Sequence, residues 1–272
     1  MNLRKSCLPV GWYPRDSGEI SRFLSGFSRG NALAAIAPHA GWSYSGRIAA
    51  RAVASLDGGT ETLAVIGGHL PAGYPPLFAM EDAVSTPLGD MAIDTGLRNA
   101  LLRETGGQED SSPDNTVEVL LPMARYFFPK AQLLWLRLPA DISSFDAGKA
   151  LAAAARSLGR TVAVLASADL THYGLNYGFS PKGSGPEALR WVKEVNDRSF
   201  IEAVESGDPA AVIARAQDDQ SCCSAGAVAG AMGFASATSA GLPRLLEYAT
   251  SADVTGTAEI PESFVGYAAF TF

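Results

Sequence analysis

The sequence predicts an α/β fold, a single three-layer domain in which helices flank a mostly parallel or mixed central sheet. Short, nearly continuous apolar runs alternate with longer helical patterns along the 272 residues. Apolar runs of this kind are typical of strands that are covered on both faces, and their alternation with helices indicates βα units. No linker rich in Pro, Ser and Gly divides the chain, so we expect one domain over residues 1–272.

Apolar runs predict the strands of the first half, and the periodic stretches between them predict helices. In chain order these are a strand at 32–37, a helix at 45–56, a strand at 63–66, a hairpin or excursion at 78–84 and 91–93, and helices at 95–104 and 117–128. Ser43 or Ser45 is suited to cap the first of these helices. The polar segment 104–115, which contains two glycines and a proline, is expected to be a surface loop.

The second half continues the same alternation. In order it predicts a strand at 132–138, a helix at 143–158, a strand at 162–166, a loop at 179–186, helices at 187–205, 208–216 and 221–234, and strands at 245–250 and 264–272. The helix at 221–234 begins with a run of very small residues. We expect its backbone to pack tightly against the sheet.

The bulk composition excludes several classes of function. A hydrophobic fraction of 47% and a charged fraction of 18% are typical of a globular chain. The net charge of −7 argues against binding to nucleic acids or anionic membranes, which requires a basic surface. No apolar run is long enough to span a bilayer, and no apolar stretch follows Arg4 and Lys5 as a signal peptide would require. We therefore expect a cytoplasmic protein.

The three cysteines do not form a disulfide framework, because their number is odd and Cys222 and Cys223 are adjacent. In a reducing compartment such thiols are free or bind metal. At the start of the predicted helix 221–234 a thiol would have a lowered pKa and would be a competent nucleophile or soft ligand. The alternative, that both are buried small hydrophobic residues, is equally compatible with the sequence.

The chain has only three histidines, and each lies beside small or backbone-breaking residues after an apolar run. They are His39 in APHAG, His69 in GGH and His172 in ADLTHYG. Since functional sites in α/β folds are built at strand ends, this placement predicts one shared pocket that binds a metal. Taken singly, His39 could instead be a turn residue bonded to a carbonyl, and His69 a simple loop residue.

Acidic residues complete the candidate set. Asp169 precedes His172 by three positions, so its carboxylate could fix the tautomer of the histidine or raise its basicity. Such an Asp–His pair suits a supporting partner of the site or a general base. The alternative is that Asp169 caps a helix and that His172 is incidental. Glu118 is either a polar contact at the site or first-turn helix charge, and we favour the second. No phosphate loop or dinucleotide fingerprint is present, so we expect no nucleotide cofactor.

Together these segments resemble the Memo family, the B component of the bacterial AmmeMemoRadiSam group. The resemblance runs the length of the chain in family order. It is carried by GWYP at 11–14, APHAGWSYSG at 37–46, GGH at 67–69, TPLG at 86–89, VEVLLP at 117–122, ADLTHYG at 168–174 and CSAGAV at 223–228.

The resemblance implies a fold similar to that of class III extradiol dioxygenases, which hold iron(II) with two histidines and a glutamate. By that comparison His39 and His69 take the histidine-ligand positions and Cys223 the carboxylate position. His172 takes the acid/base position, with Asp169 beside it. Cys222 is the alternative ligand, although Cys223 aligns better with the family motif. Asn115 stands where many family members have a histidine.

Three functions remain open from the sequence. The first is a metal-binding protein that holds iron or copper, with zinc as a further candidate, in a redox or metal-handling role beside radical-SAM and AMMECR-type partners. The second is an iron(II) dioxygenase that cleaves catechol-type rings. The third is a metal-free module that binds a small molecule or peptide. A homodimer is compatible with each of them.

Overall fold

Strands and helices alternate along the chain as the sequence predicts. The computed structural model describes residues 2–256 and 259–272. Its strands are β1 (Leu3–Arg4), β2 (Ala34–Ala37), β3 (Thr62–Leu70), β4 (Leu77–Phe78), β5 (Ala83–Val84), β6 (Met91–Ala92), β7 (Gln108–Glu109), β8 (Gln132–Pro139), β9 (Val162–Ser167), β10 (His172–Gly174), β11 (Arg244–Thr250) and β12 (Ser263–Thr271).

The helices occupy both halves of the chain. They are α1 (Ser17–Leu24), α2 (Trp42–Ser55), α3 (Thr95–Thr105), α4 (Asn115–Glu118), α5 (Leu121–Phe127), α6 (Ser143–Ser157), α7 (Pro186–Trp191), α8 (Asp197–Glu205), α9 (Pro209–Asp218), α10 (Ala225–Thr238) and α11 (Ser251–Thr255). A 3₁₀ turn spans Leu175–Tyr177, and a π turn, Val192–Asn196, joins α7 to α8. No helix among the described residues combines the length and hydropathy that crossing a bilayer requires.

The larger sheet is mixed, with a parallel centre. Its strands follow the order β10-β12-β2-β9-β3-β8-β4-β7, and β11 pairs with β12. The neighbours β2, β9, β3 and β8 are all parallel, whereas β12 runs antiparallel to β2 and β4 runs antiparallel to β8. A smaller sheet joins β1, β5 and β6. The predicted mostly parallel or mixed sheet is therefore confirmed.

Helices cover both faces of this sheet, and successive strand residues point to opposite faces. Ala35 and Ala37 of β2 belong to one hydrophobic core with residues of α1, α2 and α5. Ala34 and Ile36 belong to a second core with residues of α3, α6, α8, α9 and α10. Because both faces are buried, the strands lack polar alternation, and the three-layer prediction is confirmed.

Helix α10 packs backbone to backbone, as its small residues predict. A Cβ on Gly226 would overlap the carbonyl oxygen of Pro139 at the end of β8. A Cβ on Gly148 of α6 would overlap the carbonyl oxygen of Gly230. The backbone of α10 is therefore in close contact with both the sheet and α6. These contacts fix the position of the segment that precedes α10.

Several predicted boundaries were wrong. The helix predicted at 45–56 begins at Trp42 with Gly41 as its N-cap, so neither Ser43 nor Ser45 caps it. The helix predicted at 221–234 begins at Ala225, with Ser224 as its N-cap, so both adjacent cysteines precede it. The helix predicted at 117–128 is divided into α4 and α5, and Pro122 lies in the first turn of α5, where its missing N–H is not needed. Strand β3 extends beyond the predicted 66 to Leu70, with an irregular register between Gly67 and Leu70.

Replacing Gly148 by Ala tests the close backbone contact between α6 and α10. We expect the free energy of unfolding to fall by about 1–3 kcal/mol, since the added methyl group has no space without separating two backbones. Urea denaturation of the variant and the native chain measures the change. The control is Gly96→Ala in α3, where the nearest atom to a new Cβ is 3.4 Å away; its stability should change by no more than about 1 kcal/mol. An equal effect at both positions would contradict the packing described.

Candidate metal centre

The three histidines and Cys223 converge at the carboxyl edge of the central strands. His39 follows β2, His69 lies near the end of β3, and His172 follows β9 by a short loop. Because β9 pairs with both β2 and β3 in parallel, the carboxyl ends of these strands are neighbours. The convergence predicted from strand ends is what the sheet topology produces.

His39 is almost fully buried, with 1% of its surface exposed. Its Nδ1 lies 2.9 Å from the Ser167 hydroxyl, and that hydroxyl donates its own hydrogen to the Thr116 carbonyl. The hydroxyl can therefore only accept from Nδ1, which leaves Nε2 as the unprotonated nitrogen. Burial lowers the pKa of His39 to about 3, so the imidazole is neutral at physiological pH.

His69 is held by a carboxylate that the sequence analysis did not identify. Its Nδ1 lies 3.1 Å from Asp114 Oδ2, and its backbone has a φ of 58°, an uncommon conformation for a residue with a side chain. Burial raises the pKa of Asp114, but hydrogen bonds from His69 and Thr116 and the charge of Arg137 outweigh it, so that the pKa falls to about 2. The ionised carboxylate accepts from Nδ1, so in the neutral ring Nε2 of His69 is the nitrogen without a hydrogen.

Arg137 in turn holds this part of the site together. Its Nη2 lies 3.3 Å from Asp114 Oδ2, and its Nε donates to the Gly68 carbonyl at 3.0 Å. The guanidinium thus contacts both the residue before His69 and the carboxylate that orients its ring. Because Arg137 is separated by many residues from both partners, no local sequence pattern predicts its role.

Cys223 supplies the third donor. Its Sγ lies 3.3 Å from His39 Nε2, and one ligand atom from each of His39, His69 and Cys223 lies within 4.8 Å of the others. The backbone N–H of Cys223 donates to the Asp169 carbonyl at 3.2 Å. Cys222, the alternative ligand, packs instead at the edge of the second hydrophobic core.

The expectation of a lowered cysteine pKa was wrong. Cys223 lies before α10 rather than in its first turn, and burial raises the pKa of its thiol well above the ordinary value. Burial likewise raises the pKa of Cys222 to about 12. Without a metal, both thiols are therefore protonated at neutral pH.

Asp169 and His172 lie beside the three donors but do not form the direct hydrogen bond that their spacing allowed. Asp169 is buried, and its Oδ1 accepts the backbone N–H of His39 at 2.7 Å. His172 Nδ1 lies 3.1 Å from the Leu170 carbonyl oxygen. Since a carbonyl only accepts, Nδ1 carries the hydrogen and Nε2 is free to accept a proton. Burial lowers the pKa of His172, which favours the neutral ring.

A cavity of about 670 Å³ opens above these groups. Its lining contains His39, His69, Asp169 and His172 together with aromatic side chains from several elements, among them Trp12, Tyr44, Tyr177 and Tyr267. No lysine or arginine of the described chain contributes to it. The cavity therefore offers a ligand imidazole nitrogens and aromatic surface, but no cationic side chain.

Glu118 lies in the first turn of α4, as we favoured, and its carboxylate has a further role that the sequence did not indicate. It is buried, and its carboxylate accepts the backbone N–H of Cys7 at 2.8 Å, that of Leu8 at 3.0 Å, and the Tyr13 hydroxyl at 2.8 Å. It therefore attaches the N-terminal segment to the domain. Asn115, in the same short helix, contacts the site itself, because its side-chain amide donates to the His39 carbonyl at 3.2 Å.

The fold and the site define a three-layer α/β protein with a His/His/Cys group at the edge of its sheet. Residues 4–271 match the model of the family described as Memo-like protein. A MEMO1 family protein of Methanothermobacter thermautotrophicus is 33% identical over 245 residues, which cover 86% of this chain and 82% of the relative. The chain belongs to the Memo family, and the resemblance inferred from its motifs is confirmed.

Other comparisons give the same family or a more distant likeness. A MEMO1 family protein of Pyrococcus abyssi is 31% identical over 269 residues, which cover 93% of this chain and 89% of the relative. Among solved structures, an uncharacterized protein of Escherichia coli K12 is similar at 12% identity and a TM-score of 0.47, over 88% of this chain and 99% of that one.

The reactivity of the cysteines tests the raised pKa values. In metal-free folded protein at neutral pH, we expect iodoacetamide to alkylate Cys222 and Cys223 about 100-fold or more slowly than a free thiol, because the thiolate is the reacting form. Mass spectrometry of peptides after timed alkylation measures each rate. The control is the same chain in urea, where both should react at the rate of a free thiol. Rapid alkylation of Cys223 in the folded protein would contradict the burial described.

Proposed function

We propose that the protein binds a transition metal through His39, His69 and Cys223. The observation that carries the proposal is that donor atoms from three separate segments of the chain lie within 4.8 Å of one another. For both histidines the hydrogen-bond partner of Nδ1 selects the neutral tautomer in which Nε2 has no hydrogen, and this is the tautomer that a metal ligand requires. Histidine ligands are commonly held in this way, with the second ring nitrogen donating to an oxygen acceptor.

The distance between the sulfur and one of the nitrogens fits a metal ion. Metal–nitrogen bonds of about 2.0–2.1 Å and a metal–sulfur bond of about 2.3 Å, at tetrahedral angles, separate nitrogen from sulfur by about 3.5 Å. The Cys223 Sγ to His39 Nε2 distance is 3.3 Å. His69, a third of whose side chain is exposed, lies toward the cavity, so a metal held here would be reached by a small ligand.

The donor set supports copper or iron, with zinc as the further candidate. A thiolate makes the site softer than one with a carboxylate in the same position, and two imidazoles with a thiolate occur in copper electron-transfer sites. A bound copper or iron would supply one-electron redox chemistry. We infer a redox or metal-handling role, with radical-SAM and AMMECR-type partners suggested by the gene grouping of the bacterial family. The cytoplasmic location and the homodimer remain predictions.

Metal analysis of untagged protein tests the proposal. We expect about one equivalent of copper, iron or zinc per chain, because a preformed set of donors binds these ions tightly. His39→Ala, His69→Ala and Cys223→Ala should each lose most of the metal. The matched control is Cys222→Ala, which removes the adjacent thiol and should retain it. A native protein that binds none of the three metals when they are added would favour the metal-free binding module instead.

A second candidate is an iron(II) dioxygenase that cleaves catechol-type rings, and the position of His172 favours it. This residue lines the same cavity as His39 and His69, and its free Nε2 can accept a proton from a phenolic hydroxyl. The likeness in fold to class III extradiol dioxygenases itself remains a prediction. The aromatic lining of the cavity is compatible with a planar ring.

Oxygen uptake by protein loaded with iron(II), measured with catechol as the probe, tests this second candidate. We expect His172→Gln to lower the rate by about 100-fold or more, the usual contribution of a general base, while the iron content stays unchanged. The control is Asn176→Ala, which alters another residue of the cavity lining. It removes no proton acceptor comparable to an imidazole, so it should lower the rate far less than His172→Gln does. Absence of catechol-dependent oxygen uptake by the native iron-loaded protein would count against dioxygenase activity without affecting the proposed metal site.

A further inference from the structure

A second buried aspartate, Asp197, lies behind the loop that carries Asp169 and His172. It is fully buried at the start of α8, and among the described residues no lysine or arginine forms an ion pair with it. Its Oδ2 accepts the Tyr248 hydroxyl at 2.7 Å. Its Oδ1 accepts the backbone N–H of Thr171 at 3.1 Å and also the Thr171 hydroxyl. A buried carboxylate without a cation is costly to maintain, which points to a role for this one.

The local backbone places this carboxylate against the loop. The π turn that precedes α8 adds a residue to the helix, so that the consecutive residues Asn196 and Asp197 are both buried. Asn196 donates to the Thr171 hydroxyl at 2.9 Å. On the sheet side, a Cβ at Gly266 of β12 would overlap the Asp197 carboxylate. The absence of a side chain there is what lets the carboxylate reach Thr171.

One peptide unit connects Asp197 to His172. The peptide between Leu170 and Thr171 donates its N–H to Asp197 Oδ1, and the carbonyl of the same peptide accepts from His172 Nδ1 at 3.1 Å. Leu170 N–H and Thr171 C=O are both bonded to Gly266 at 2.8 and 3.0 Å, so the chain on either side is fixed. Hydrogen bonds in such a chain polarise one another. A negative charge at the N–H end therefore strengthens the carbonyl as an acceptor.

We propose that Asp197 is a positioning residue for His172, acting through the Leu170–Thr171 peptide to keep the proton on Nδ1 and the lone pair of Nε2 available to the cavity. This inference rests on the proposed role of His172 in the site. It assigns to Asp197 the carboxylate–imidazole coupling that the sequence favoured for Asp169. The charges of Asp169, His39 and His69 act on His172, and the Tyr177 ring packs edge-on against it with centroids 5.0 Å apart. A change at Asp197 leaves all four in place.

Nuclear magnetic resonance of the metal-free protein tests the proposal, since three histidines give separable ring signals that single His→Gln variants assign. In the native protein we expect ¹⁵N shifts of His172 to show a protonated Nδ1 and a bare Nε2. Asp197→Asn keeps the shape but removes the charge. The acid dissociation constant of His172 should then rise about twofold to tenfold, because one polarising bond weakens, and exchange of the Thr171 amide hydrogen should become faster.

Two further variants distinguish a specific effect of Asp197 on His172 from a general destabilisation of the fold. Asp219→Asn changes an aspartate that pairs with Arg215 at 3.0 Å and should leave the His172 signals unmoved. Thr171→Val removes the hydroxyl but keeps the peptide N–H, so the His172 tautomer should be retained. Equal His172 shifts in Asp219→Asn and Asp197→Asn, or no shift in Asp197→Asn, would overturn the proposal.

The native protein alone can also overturn it, even if Asp197→Asn does not fold. A proton found on Nε2 of His172 would do so directly. Because every measurement uses metal-free protein, a failure of metal binding would leave the result for Asp197 intact. Conversely, a failure of the Asp197 coupling would leave the His39, His69 and Cys223 site untouched.

Discussion

The parallel placement of β9 between β2 and β3 is the constraint on which the candidate metal centre depends. These strands are distant along the chain, and each ends in a segment that carries one of the histidines. Parallel strands have their carboxyl ends at the same edge of the sheet. The parallel order β2-β9-β3 therefore places His39, His69 and His172 around one cavity. Burial of both faces of the sheet stabilises that arrangement.

The three imidazoles share one chemical arrangement although their partners differ. Nδ1 of His39 donates to a hydroxyl, that of His69 to a carboxylate, and that of His172 to a backbone carbonyl. In each case the acceptor is itself held by further hydrogen bonds or by a charge. The common result is that each neutral ring has its hydrogen on Nδ1 and none on Nε2, which is the tautomer that a metal ligand or a proton acceptor requires.

Glycines let the segments around the site approach one another closely. Gly68 makes room for Ser224, next to the proposed ligand Cys223. Gly226 allows α10 to meet the end of β8, and Gly266 admits the Asp197 carboxylate. These contacts join the segments around the site without intervening side chains, so small changes at glycines far from the cavity should alter its geometry.

Strand periodicity and motifs are local signals, so the amino-acid sequence was enough to predict the α/β class, the family and the grouping of His39, His69 and Cys223. The partners of these residues could not be predicted, because they are set by the way distant segments pack. The ion pair of Asp114 with Arg137, the attachment of Glu118 to the N-terminal segment, and the path from Asp197 to His172 join residues that are remote in the chain. The raised thiol pKa of Cys223 likewise follows from burial, and burial is decided by packing between elements rather than by neighbours in sequence.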